Sequence, residues 1–291
     1  DLVNFFSKKN KVYAFYRTPN LASKNLKNKN IKWIKQDLIK EILIKIKPRI
    51  IIHCAVTHPF SKKNNLRKKG CSLMSFKYQT TEWNSKKVIL GEGSLNAKEP
   101  INILIGFHGA GSTPENMLIH GNKLDLDNTF MLFPEGPIDA GEGRWSWWVD
   151  GPKQKESVSG FLKFSSSMIA TAQDHLNSRF EKLETRVCLW GFSQGGAAAL
   201  TYTLLGKHPL HKVASVCGFL PEFSEDQTLS ELSVPILGIF GTNDDVVPSF
   251  LAEHALEEMK NKGHNPTLRE TSQGHELSEE NLKELGVFFN S

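Results

Sequence analysis

Three residue types able to carry out nucleophilic acyl transfer occur in the order serine, carboxylate, histidine. They are Ser193 in Gly191-Phe192-Ser193-Gln194-Gly195, Asp244 in Gly241-Thr242-Asn243-Asp244-Asp245, and His275 in Gly274-His275-Glu276. A serine hydroxyl is a poor nucleophile until a neighbouring base takes its proton, and the base works best when a buried carboxylate fixes its tautomer. The pentapeptide suits the first member of that set. Glycines two residues either side of a serine relieve the crowding of a sharp strand-to-helix turn, so that the hydroxyl stands at its tip. An ordinary glycine-rich turn has the same five-residue pattern, so the flanking elements must separate the two readings.

The flanks are those of an elbow. Val187-Cys188-Leu189-Trp190 reads as a buried strand leading into it, and Gly196-Ala197-Ala198-Ala199-Leu200 continues without a breaker to Gly206 as a helix. Val234-Pro235-Ile236-Leu237-Gly238-Ile239-Phe240 reads as a parallel strand that empties into the Asp244 loop before Pro248. Asp244 is the expected acid, with the adjacent Asp245 as the alternative. After an amphipathic stretch over 250–262, residues 267–271 read as a last strand, and His275 follows it before a final helix over 278–289. His275 is the expected base. His254 and His264 fall on the preceding helix and its end, where they are expected to face solvent.

Acyl transfer also needs donors aimed at the developing oxyanion. Ile103-Leu104-Ile105-Gly106-Phe107 reads as a short buried strand ending in His108-Gly109-Ala110-Gly111-Ser112. The backbone N–H groups of Gln194 and Ala110 are the expected oxyanion donors, a tight structural turn being the plainer reading of the glycines. Residues 144–150 hold three of the six tryptophans. Trp147 and Trp148 are candidates to line the acyl side of a substrate site, with packing against the core as the alternative.

With these motifs in place, residues 75–291 resemble the acyl-protein thioesterase, phospholipase and carboxylesterase group of α/β-hydrolases. The resemblance is carried by His108-Gly109-Ala110-Gly111, the Pro134 region, Ser146-Trp147-Trp148, Gly191-Phe192-Ser193-Gln194-Gly195-Gly196, Asp244 with Val247-Pro248, and Gly274-His275. It implies a mostly parallel central sheet flanked by helices, and a serine esterase or thioesterase with Ser193, Asp244 and His275 as its triad. Ala110 and Gln194 are its implied oxyanion donors. Ser112 and Val149 stand where acidic residues are common in that family. Only about a dozen residues separate the strand at 213–220 from the next at 234, too few for a large lid. An uncapped site suits a small-molecule or carrier-linked acyl ester or thioester, with no cofactor and no metal.

Residues 1–70 differ in kind. They hold eighteen Lys or Arg against three Asp or Glu, a balance of +15 within a chain whose total is +5. Such a charge could attract phosphates, but the accompanying Asn and Ile match a compositional bias, and no nucleic-acid partner is expected. Strands over 11–16 and 31–35, a helix over 39–47 and the run Ile50-Ile51-Ile52-His53-Cys54-Ala55 are similar to the start of extended short-chain dehydrogenases and NAD(P)-dependent epimerases. By that resemblance Arg17, Asp37 and Ala55 would lie near the adenine side. The first strand and its glycine-rich phosphate loop do not precede this stretch, so it reads as an incomplete, Rossmann-like and non-functional fragment. Met74 stands directly before the second part, and the sequence suggests two unrelated pieces joined by gene fusion or by an assembly or gene-calling error. No apolar run reaches the roughly 18 residues of a membrane span. Cys54, Cys188 and Cys217 sit in apolar runs as reduced core residues, and a cytoplasmic location is expected.

Overall fold

The computed structural model describes residues 12–16, 31–35, 76–223 and 233–291. The chain divides into two compact units, Asp1–Lys68 and Lys69–Ser291. In the first, β1 (Val12–Tyr16) and β2 (Ile31–Lys35) pair in parallel, with Val12 opposite Ile31. The helix expected over 39–47, the run 50–55, and Arg17, Asp37 and Ala55 lie outside the described residues.

The second unit is built on eight strands. They are β3 (Lys77–Trp83), β4 (Lys86–Glu92), β5 (Ile101–Phe107), β6 (Thr129–Pro134), β9 (Thr185–Phe192), β10 (Lys212–Val216), β11 (Pro235–Gly241) and β12 (Asn265–Thr271). Their order across the sheet is β12-β11-β10-β9-β5-β6-β4-β3. Only the β3–β4 and β4–β6 pairings are antiparallel, so six strands run in parallel from β6 to the β12 edge. A separate hairpin, β7 (Ile138–Gly141) and β8 (Arg144–Ser146), stands outside this sheet.

Alternation along the strands divides the core into two layers, because successive side chains point to opposite faces. On β5, Ile101, Ile103, Ile105 and Phe107 join one layer and Leu104 the other, while on β9 Val187 and Leu189 oppose Cys188 and Trp190. Helices α2 (Gln154–Asn177), α3 (Gln194–Leu205) and α4 (Ser249–Asn261) cover the first face. Helices α1 (Pro114–Gly121) and α5 (Glu279–Asn290) cover the other. Helix α2 presents Val158, Phe161, Met168, Ile169, Ala172 and Leu176, an apolar stripe at helical spacing. Helix α5 starts at a capping box in which Ser278 and Asn281 each accept from the other's backbone N–H.

Every residue of α3 is buried. Its first turn carries Gly195 and Gly196 because the helix begins hard against the sheet backbone. A Cβ on Gly195 would run into the Phe107 carbonyl, and one on Gly191 into the Gly195 carbonyl. Both obstacles are backbone and cannot swing aside. Gly195→Ala is therefore expected to cost about 3 kcal/mol or more through overpacking, read as a lowered melting temperature. An unchanged melt would mean that α3 shifts freely against β5.

One sequence expectation fails at the end of α4. His264 is buried, not solvent-facing, at 5% exposure. Gly263 adopts φ +90° and donates its N–H to the Lys260 carbonyl, while the His264 N–H donates to that of Met259. This pair of bonds makes a Schellman cap, in which the residue after the glycine folds back on the last turn. The expected lidless connection after β10 falls partly on residues 224–232, which lie outside the described residues.

Candidate active site

The parallel strands deliver the candidate residues to one edge of the sheet. Ala110 follows β5, Ser193 follows β9, Asp244 follows β11 and His275 follows β12, each just beyond the carboxyl end of its strand. Loops gathered at that edge are where open α/β sheets place their ligands.

Ser193 sits between β9 and α3 at φ 57°, ψ −124°. Few non-glycine residues adopt this backbone, and strain of this kind persists only where surroundings enforce it. Here the Ser193 N–H donates to the Val216 carbonyl at 2.9 Å, and the Ser193 carbonyl accepts from the Ala197 N–H at 2.9 Å. Its Oγ lies 3.0 Å from Nε2 of His275, whose Nδ1 lies 2.8 Å from Oδ2 of Asp244. Carboxylate, imidazole and hydroxyl thus form one unbroken chain. The Phe192 ring stands 4.8 Å from the imidazole and backs it.

Asp244 is fixed on both oxygens. Oδ1 accepts the N–H groups of Val246 at 2.9 Å and Val247 at 2.8 Å, leaving Oδ2 for His275. Burial pushes this carboxyl upward. The bonds from Val247, His275 and Val246, with the Cys217 thiol beside it, outweigh burial and hold the group below the ordinary carboxylate value. Asp245, the alternative, is exposed.

Two amides of the loop after β5 are committed. Gly111 N–H donates to Ser146 Oγ at 3.0 Å and Ser112 N–H to the Trp145 carbonyl at 3.2 Å. Of the expected donors, Ala110 is thus the loop amide between the strand and these anchors, and Gln194 opens α3, where the first N–H groups have no partner within the helix. Gly109 lies close by: a Cβ there would meet that of Ser193 at 3.6 Å.

His108, just before that loop, is 1% exposed, and burial lowers its pKa to about 4, against the opposing bond to the Gly109 carbonyl. That carbonyl, 2.8 Å from Nδ1, can only accept, so the proton of the neutral ring is on Nδ1. In the unfolded chain the ring charges as pH falls through about 6.5, whereas in the fold it stays neutral to about 4. Its contribution to stability is therefore complete above the unfolded value and is lost as pH falls through that window. Full loss is on the order of 3 kcal/mol. Urea melts at pH 7, 5.5 and 4.5 should show it, with the slope reduced in His108→Gln; equal slopes in the two proteins would assign the acid sensitivity elsewhere.

Trp147 and Trp148 do not line an acyl surface. They are 0% and 1% exposed and stack edge-on against Phe161 at 5.9 and 5.6 Å. The packing alternative holds because the segment's backbone is drawn inward: Gln194 Oε1 accepts the Trp147 N–H at 3.0 Å, and Gln194 Nε2 donates to the Trp148 carbonyl at 3.1 Å.

Cys217 is a neighbour that the sequence showed only as an apolar core residue. It follows β10 at φ 50°, and its Sγ receives Gln273 Nε2 at 3.9 Å and approaches the Glu276 carbonyl at 4.0 Å. Burial, reinforced by Asp244, pushes the thiol up to about 12. Cys217, Asp244 and His275 offer ligand atoms within 4.8 Å of one another, a possible metal trio among the described residues. Two of the three are already bonded to each other and the third is held as a thiol, so the donor set is engaged in orienting the base. The sequence reading carried the strand on to 220 and so kept Cys217 within it; the strand ends at Val216, which sets Cys217 at the edge where the other loops gather.

A family model for phospholipases and carboxylesterases matches residues 94–291. Among solved structures, the Bacillus cereus carboxylesterase matches with a TM-score of 0.58 at 17% identity, covering 71% of this chain and 94% of that one. Arabidopsis thaliana SOBER1 matches with a TM-score of 0.52 at 25% identity, covering 66% and 98%. A bifunctional acetylxylan esterase/xylanase of Neocallimastix patriciarum is 26% identical over 176 residues, 58% of this chain, and the chain spans 23% of that protein's length. The family match takes in the Ser193, Asp244 and His275 segments and the turn after β5 together, and the solved relatives share the fold. The chain belongs to the phospholipase/carboxylesterase family.

Proposed function

We propose that the protein is a serine hydrolase that cleaves carboxylic esters or thioesters through an acyl-enzyme. The observation that carries this reading is the continuous Asp244–His275–Ser193 hydrogen-bond chain at 2.8 and 3.0 Å. His275 Nε2 takes the Ser193 proton as Oγ attacks the acyl carbonyl, and Asp244 stabilises the imidazolium that results. The carbonyl oxygen, now anionic, receives the N–H groups of Gln194 and Ala110. Collapse of the tetrahedral adduct expels the alcohol or thiol, which takes the proton from His275. Water, activated by the same imidazole, then releases the acid.

Family membership supports ester hydrolysis. With Trp147 and Trp148 packed into the core, neither of these two rings offers the acyl group a slot, which favours short acyl chains, on small alcohols or on a larger carrier. The relative from Neocallimastix, named as an acetylxylan esterase, is in keeping with such a substrate. Turnover of p-nitrophenyl acetate and butyrate, with labelling of Ser193 by a fluorophosphonate, tests the reading. Turnover with the label on another residue would sink the assignment.

A further inference from the structure

We propose that Trp147 is a positioning residue that aligns the two halves of the oxyanion site, an inference that rests on the acyl-enzyme reading. The two donors come from different segments, Ala110 from the loop after β5 and Gln194 from the start of α3, and both must reach the same oxygen. Trp147 is bonded to each segment. Its indole Nε1–H donates to the His108 carbonyl at 2.7 Å, and its backbone N–H donates to Gln194 Oε1 at 3.0 Å. The ring lies tilted by 36° to the His108 ring at 4.7 Å and edge-on to that of Phe107 at 4.8 Å.

The bond to His108 bears on geometry. A carbonyl fixed in direction fixes the plane of the peptide it belongs to, and the His108–Gly109 peptide leads through one flexible glycine to the Ala110 N–H. The far side of the loop is anchored by the two residues before Trp147, through Ser146 Oγ on Gly111 and the paired backbone bonds between Ser112 and Trp145. The stretch before Ala110 therefore takes its direction from two bonds in series, the His108 Nδ1–H on the Gly109 carbonyl at 2.8 Å and the Trp147 indole on the carbonyl of His108 itself. Trp147 is fully buried, so a lost indole bond leaves the carbonyl without an ordered substitute and the peptide free to turn. Oxyanion donors act only when aimed beforehand at the transition-state oxygen, and small misplacements are costly.

The test is Trp147→Phe, which keeps an aromatic ring and the backbone bond to Gln194 but removes the indole donor. Rates are normalised to sites titrated by a fluorophosphonate, so that misfolded protein is not counted. The expected result is a fall in kcat on the order of 10- to 100-fold with KM within about twofold. A trifluoromethyl ketone analogue of the tetrahedral adduct should weaken by the same factor. Benzothienylalanine at position 147, with sulfur in place of N–H in a nearly unchanged shape, should reproduce both effects if Trp147→Phe fails to fold. Unchanged kcat per titrated site, or slowed turnover with undiminished analogue binding, would overturn the proposal. Failure of the wild-type protein to label at Ser193 would instead overturn the acyl-enzyme reading beneath it.

Discussion

Replacing Ser193 with alanine is expected to lower kcat on p-nitrophenyl esters by about a million-fold, the loss seen when the serine of a triad hydrolase is removed. Alanine keeps the β-carbon that Ser193 already accommodates at φ 57°, so the strained elbow need not change shape. The substitution removes only the oxygen 3.0 Å from His275 Nε2. Stability should stay level or rise, because a residue held in a functional arrangement commonly sacrifices some stability to it. The same reasoning predicts the double variant Ser193→Ala/His275→Ala. Nucleophile and base act as one unit, so the double variant should be no slower than either single one. Steady-state rates on protein free of contaminating esterase decide both points. Activity above about one per cent in Ser193→Ala would show that another group attacks the carbonyl.

The sequence made this centre legible because its chemistry is local. Gly191, Gly195 and Gly196 announce a turn that only glycine can complete, and the carbonyls of Phe107 and Gly195 that would meet an added Cβ show why. Asp244 and His275 were recognisable as polar residues directly after apolar strands, and parallel pairing of those strands brings them together. Trp147 and Trp148 were not legible in the same way. Composition marks an aromatic loop as apolar but says nothing about which partner draws it inward, and that partner is the Gln194 side chain, distant in sequence. His264 was misplaced for a related reason: Gly263 signalled the end of α4, while the inward turn of the next residue belongs to the cap geometry. The β3–β4 hairpin passed unnoticed because its turn, Asn84-Ser85, uses positive φ at two residues that are not glycine.

Asp244→Asn should lower kcat by about ten-thousand-fold while leaving the fold intact, and the cause can be followed atom by atom. Oδ1 of Asp244 receives two backbone N–H groups, from Val246 and Val247. An asparagine at 244 must keep its carbonyl oxygen there, since turning its amide over would set donors against donors. Its Nδ2 then faces His275 Nδ1, the position now held by Oδ2 at 2.8 Å. A donor in that position obliges Nδ1 to accept, which places the ring proton on Nε2, pointing at Ser193. The base becomes a donor and can no longer take the hydroxyl proton. Imidazole nitrogen NMR should show the proton moving from Nδ1 to Nε2 as activity is lost, and fluorophosphonate labelling of Ser193 should slow in parallel. Asp245→Asn, one residue away and exposed, should leave both unchanged. A slow Asp244→Asn enzyme whose His275 still carried its proton on Nδ1 would place the effect of Asp244 in the charge it offers the imidazolium, not in the tautomer it selects.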